Sequence, residues 1–132
     1  MLRRFAAATC VASPVVALAT LIVLLAPDLK PESLYRLTSF CCILPAVWGL
    51  WAMLAPRSWV PQRLPLWGAI LGALAGMMVA FVLNLPAQIL EVALSAPQRG
   101  LVVLILAAFY YLLWLVVRAA LGALAGNSHA AR

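Results

Sequence analysis

Long apolar segments with almost no charged residues alternate with short polar segments along this chain. Four of the apolar segments are long enough to cross a bilayer as helices, since about 20 residues cover a hydrocarbon core of ~30 Å. They cover residues 5–26, 37–56, 66–85 and 100–120. The pattern predicts an all-α integral membrane protein, a four-transmembrane-helix bundle with short loops that forms a single domain over residues 1–132.

The segments between the predicted spans are short and rich in turn residues. Residues 27–33 (PDLKPES) and 56–65 (PRSWVPQRLP) read as loops. Trp59 in the second loop is typical of the interfacial belt of a membrane protein. Residues 86–95 (PAQILEVALS) predict a short helix lying in the interface, with Asn84 as its cap.

The first apolar segment allows two interpretations. Arg3 and Arg4 followed by an apolar run, with Ala17-Leu-Ala19 as a cleavage signal, are features of a signal peptide. However, the apolar run continues well past that point to Ala26. We therefore predict a retained span, kinked where Ser13 precedes Pro14.

Composition agrees with a membrane protein and indicates its orientation. The 132 residues are 67% hydrophobic and 9% charged, with a mean hydropathy of +1.12, whereas soluble domains are about a quarter charged. The net charge is +6, but the basic residues stand singly or in pairs at the ends of apolar segments. This placement favours topology signals over nucleic-acid binding. Their distribution predicts a multi-pass protein with both termini cytoplasmic. Eight of the nine basic residues are arginine, and alanine and leucine are abundant, which favours a bacterial protein of the inner membrane.

Ionisable side chains are missing from the middle of every predicted span. None of the four contains Asp, Glu, Lys or His, and no arginine lies near a span centre. Such residues mark ion and proton pathways in membranes, and the single histidine, His129, lies in the tail, where it cannot ligate a haem within the bilayer. Motifs of zinc proteases, serine hydrolases and phosphate-binding loops are also absent. We therefore expect neither enzymatic activity nor a cofactor.

Cys41 and Cys42 form the sharpest candidate for chemistry. Adjacent thiols suit soft metal ions such as Hg²⁺ or Cu⁺. The segment Cys41-Cys42-Ile43-Leu44-Pro45 resembles the Cys-Cys-x-x-Pro segment of small mercuric-ion uptake proteins. That resemblance implies metal transport, although here the pair lies in the second span and no second cysteine pair follows. The alternative is that both cysteines are small packing residues.

Two small-residue stripes predict close helix packing. Gly68, Gly72 and Gly76 recur every four residues in the third span, in the manner of a glycine zipper, and a stripe in the first span contains Thr9, Ser13 and Ala17. Helices associate in lipid through close packing, which small residues permit. The glycine face is expected to dock either on the first-span stripe or on a helix of another subunit.

The fourth span carries aromatic residues near its middle. Tyr110 and Tyr111 lie about ten residues into it, so at least one hydroxyl should face protein or a bound ligand. Tyr111, Trp114 and Arg118 follow at helical spacing. These residues are typical of an aromatic surface that contacts a lipid or another ligand. The alternative is ordinary helix packing, with Arg118 anchoring the helix at the membrane interface.

Two functions follow from these features. The leading hypothesis is a non-catalytic accessory or assembly subunit that packs against a larger membrane protein complex, surrounded by membrane lipid, with a homo-oligomer as the alternative assembly and no nucleic-acid partner. The second hypothesis is a small transporter or channel, with a soft metal passing Cys41 and Cys42 as one version.

Overall fold

The computed structural model describes residues 1–25, 31–84 and 93–130, and all regular secondary structure in that part of the chain is helical. The prediction of an all-α protein is therefore confirmed for these residues. The order is α1 (Leu2–Leu24), α2 (Pro31–Leu54), a 3-10 turn (Arg57–Trp59), α3 (Leu64–Met77), a π-helical turn (Met78–Val82) and α4 (Ala96–Ala130).

Three helical stretches are long and apolar enough to cross a membrane by length and composition. They are Leu2–Ile22, Leu64–Val82 and Ala96–Ala123. The apolar part of α2 is shorter and covers Cys41–Leu54. Three of the four predicted spans thus have helices of spanning length, and the second has an apolar helix of 14 residues within a helix of 24.

The helix ends differ from the sequence prediction in ways that local chemistry explains. Helix α2 begins at Pro31, inside the predicted loop, because proline is favoured in the first helical turn, where its missing N–H costs nothing. It ends at Leu54, because the residue before Pro56 is disfavoured in helical conformation. Ala26 and the predicted loop residues 27–30 lie outside the described residues.

Helix α3 ends in an irregular turn. The Leu83 N–H donates a hydrogen bond to the Met78 carbonyl at 2.9 Å, five residues earlier, which widens the last turn. Asn84 follows with a φ of 47°, a left-handed conformation that asparagine tolerates better than most residues and that terminates the helix. The cap predicted for Asn84 concerns residues 86–92, which are not described. Residues 93–95 have no regular structure.

Helix α4 extends beyond its predicted span at both ends. At its start, the Gln98 side chain accepts hydrogen bonds from the Ser95 N–H at 2.8 Å and the Ser95 hydroxyl at 3.0 Å. This is half of a capping box, in which the third helical residue reaches back to the cap. At its other end, the helix continues to Ala130 through a segment rich in alanine and leucine, which favour helix.

The chain divides into two compact units. One contains Met1–Arg57 and Val116–Arg132, and the other contains Ser58–Leu115. Within the first, α1 and α2 pack together along their length. Within the second, α3 packs against the part of α4 that precedes Val116.

Candidate functional site

The glycine face of α3 is filled by α4 of the same chain. A Cβ atom added at Gly68 would collide with the Trp114 ring. One added at Gly72 would lie 2.6 Å from the Leu106 carbonyl oxygen and 2.7 Å from the Tyr110 Cβ. Both distances are below van der Waals contact, so the glycines allow an approach that no other residue permits.

The third glycine continues the same contact. A Cβ atom at Gly76 would lie 2.8 Å from the Val103 Cα. The contacts of Gly68, Gly72 and Gly76 therefore move towards the start of α4 as α3 advances, so the two helices run antiparallel. The nearest atoms to this face belong to α4, a neighbour that neither docking alternative of the sequence analysis included.

The aromatic residues of α4 separate into a buried and an exposed group. Trp114 is 0% exposed and Tyr110 is 7% exposed, and both face α3. Tyr111 is 38% exposed and Arg118 is also exposed. Tyr110 is thus the buried tyrosine of the pair, and the prediction that a hydroxyl faces protein or a bound ligand stays a prediction. Of the predicted set Tyr111, Trp114 and Arg118, only Trp114 is buried. It shares the α3 side of the helix with Tyr110, which lies about one turn before it.

Helices α1 and α2 are joined by hydrogen bonds to backbone carbonyls. The Thr9 hydroxyl donates to the Pro45 carbonyl at 3.3 Å, and Arg4 Nη1 donates to the Ala55 carbonyl at 3.1 Å. The second bond places the start of α1 beside the end of α2. The carbonyl groups of a last helical turn lack intrahelical partners, and a cation there also opposes the negative end of the helix dipole.

Small residues also allow α1 and α2 to approach each other closely. A Cβ at Gly49 would meet the Phe5 ring and the Thr9 hydroxyl. Ala8 and Ala12 are both 0% exposed. Of the predicted stripe, Thr9 contacts α2. The role of the whole stripe as a packing surface stays a prediction.

The remaining members of that stripe face outward. Ser13 and Ala17 are exposed, and the Ser13 hydroxyl donates to the Thr9 carbonyl of its own helix at 2.8 Å. Ala6 and Cys10 are exposed too. At 3.6 residues per turn these four positions lie within about 60° of one another. We call the set Ala6, Cys10, Ser13 and Ala17 the outer α1 face.

The two adjacent cysteines lie in different surroundings. Cys41 is buried and shares a side-chain hydrogen bond with Thr20 of α1, whereas Cys42 is exposed. Consecutive helical positions diverge by about 100°, which explains the difference. All three cysteines are free, and no group of three or more potential metal ligands of the His, Cys, Asp or Glu type occurs among the described residues.

Sequence reasoning missed a contact at the other end of the α3–α4 pair. The Arg99 guanidinium lies over the Phe81 ring, with its Cζ atom 5.9 Å from the ring centroid. Such stacking is favourable for arginine. The residues are 18 positions apart on different helices, and no sequence pattern connects them.

Comparison with protein-family models, with curated proteins and with solved structures finds no match to this chain.

Proposed function

We propose that this protein is a non-catalytic accessory subunit of a larger complex in the bacterial inner membrane. In this proposal α1, α2, α3 and α4 all cross the bilayer as one four-helix bundle, and both termini are cytoplasmic. The apolar character of the helices supports the membrane location. The central parts of the spans contain no acidic, lysine or histidine residues, which supports a role without catalysis or proton transfer.

The outer α1 face is the observation that carries the proposal. Its four members, Ala6, Cys10, Ser13 and Ala17, are small and exposed, whereas the glycine face of α3 is already covered by α4. Attraction between helices in lipid comes from close packing and interhelical hydrogen bonds, so a small-residue face is where a partner helix gains most. We therefore assign the partner interface to α1 in place of α3.

The test is extraction of native membranes in mild detergent, followed by native electrophoresis and mass spectrometry. We expect the wild-type chain to migrate with larger membrane subunits. Ala17→Leu should release it, because the added side chain keeps a partner helix at a distance. The matched control is Ala108→Leu, the same change at an exposed position of α4.

Three results would count against the proposal. Migration of the native chain alone or as a homo-oligomer would exclude an accessory subunit. Equal release by Ala17→Leu and Ala108→Leu would remove the interface from α1. A reporter fused after Arg132 and active only in the periplasm would reverse the proposed orientation.

A further inference from the structure

A basic surface lies at the end of the α1–α2 pair. The bond from Arg4 to the Ala55 carbonyl brings the first turn of α1 beside the end of α2. Arg3 precedes Arg4 and Arg57 lies two residues after Ala55, and both are exposed. We call Arg3, Arg4 and Arg57 the basic end.

The basic end contains three of the nine basic residues of the chain, which has three acidic residues. Asp28 and Glu91 lie outside the described part. The backbone of Glu32 is in the first turn of α2, 22 residues before Leu54, which is about 33 Å along the helix axis at ~1.5 Å per residue.

The three arginines differ in their exposure. Arg4 is half-buried and its guanidinium is bound to a carbonyl at the end of α2, where it offsets the negative helix terminus. Arg3 and Arg57 are exposed. Exposed guanidinium groups bind phosphate in bidentate geometry, which favours a phosphate-bearing ligand.

The surroundings of the basic end favour a lipid as the source of that phosphate. Trp59 lies in the same 3-10 turn as Arg57, and its ring meets the Trp67 ring edge to face, with centroids 5.9 Å apart. Tryptophan of this kind is enriched at the level of lipid headgroups. Exposed apolar side chains such as Leu54 follow directly along α2, where acyl chains would lie beneath a bound headgroup.

We propose that the basic end binds the headgroups of acidic phospholipids through Arg3 and Arg57. This inference rests on the membrane location in the proposed function, but it requires neither a partner subunit nor a particular orientation. Basic residues close to a membrane surface favour anionic lipids by about fivefold each at low ionic strength. Two exposed arginines should therefore give a preference that is readily measured.

The experiment uses the full chain reconstituted into phosphatidylcholine bilayers that contain a trace of spin-labelled phosphatidylglycerol or spin-labelled phosphatidylcholine. The motionally restricted fraction of each label gives its relative association with the protein. We expect the wild type to prefer phosphatidylglycerol several-fold at low salt and less at high salt. Arg3→Gln/Arg57→Gln should abolish most of that preference, and Arg3→Lys/Arg57→Lys should keep it.

A single-charge comparison separates a local site from the overall charge. Arg57→Gln and Arg99→Gln each remove one positive charge, but Arg99 is stacked on Phe81 at the other end of its helix pair. We expect only Arg57→Gln to reduce the preference. Equal losses in the two variants, no preference in the wild type, or an unchanged preference in Arg3→Gln/Arg57→Gln would each overturn the inference.

Flotation of the same samples with the vesicles distinguishes this failure from a failure of the proposed function. A chain that floats with phosphatidylcholine vesicles but shows no preference contradicts only the lipid site. A chain that does not associate with vesicles contradicts the membrane location, and the lipid site with it.

Discussion

The two helix pairs of this protein both close over glycine, but against different side chains. In the α1–α2 pair, Gly49 lies against Phe5 and Thr9, and Thr9 and Arg4 donate hydrogen bonds to backbone carbonyls of the α2 side. In the α3–α4 pair, the rings of Trp114 and Tyr110 lie against glycine backbone. Both solutions suit an environment in which apolar burial alone gives little attraction between helices.

The difference predicts what each pair tolerates. A contact made by shape should be sensitive to any added or removed volume. The α1–α2 contact should in addition be sensitive to the loss of a hydrogen-bond donor at Thr9 or Arg4. The following substitutions test this contrast, with stability measured by unfolding the purified chain in mixed micelles of increasing SDS content, followed by circular dichroism.

Trp114→Ala should have the largest effect. Trp114 is completely buried against Gly68, and removing a buried tryptophan leaves a cavity that costs ~3–5 kcal/mol in protein cores. The control is Phe109→Ala on the same helix, where the ring is 48% exposed and detergent or lipid can replace it. Similar losses in both variants would show that Trp114 does not fill a specific space.

Gly72→Ala should destabilise the protein by up to ~2 kcal/mol. The added methyl group meets the Leu106 carbonyl oxygen at 2.6 Å, and overpacking against a helix backbone costs ~1–3 kcal/mol. The ~1 kcal/mol that alanine gains over glycine in a helix interior offsets part of this cost. Gly100→Ala is the matched control, because nothing lies within 4 Å of its added atom. A neutral or stabilising Gly72→Ala would contradict the close contact.

Thr9→Val should cost about 0.6–1 kcal/mol. Valine keeps the shape of threonine but cannot donate to the Pro45 carbonyl, and interhelical hydrogen bonds in membranes contribute amounts of this order. Ser13→Ala removes a hydroxyl that bonds only within its own helix and should change stability little. Equal effects would indicate that the Thr9 bond does not join the helices.

Arg4→Met should have the smallest effect, about 0.5 kcal/mol. It removes the bond to the Ala55 carbonyl and the favourable charge at the end of α2, but water at the protein surface replaces part of both. Arg3→Met, at an exposed position, serves as the control. The difference between the two variants should decrease in high salt, because screening weakens the charge contribution.

Sequence reasoning located the important positions better than it paired them. The sequence predicts that Gly68, Gly72 and Gly76 form a close-packing face. It also singles out Tyr110 and Trp114 as aromatic residues that would contact protein or a ligand. Nothing along the chain shows that the two sets face each other. Residues 30 or more positions apart on two helices come into contact only when the helices pack in one particular alignment along and around their axes. Single-sequence patterns contain no information about that register.

The same limit explains the first helix pair. Thr9 was recognised as part of a weakly polar stripe, but the alanines at residues 8 and 12 proved to be the buried neighbours. An α1 rich in alanine and other small residues offers several similar faces, and which one is used depends on the shape of α2 around Gly49. Local capping at Ser95 and Gln98 was in principle readable, because the Ser-x-x-Gln spacing is a known helix start.

The sequence by itself determined that the described part of this chain is helical and apolar, since hydrophobicity and helix propensity act over consecutive residues. Only the tertiary structure decided that the α3 glycines belong to α4, that Cys41 is buried while Cys42 is exposed, and that Arg4 reaches the end of α2. Those outcomes depend on contacts between segments that are distant in the sequence. A small rotation of a helix about its axis decides which of its faces is covered.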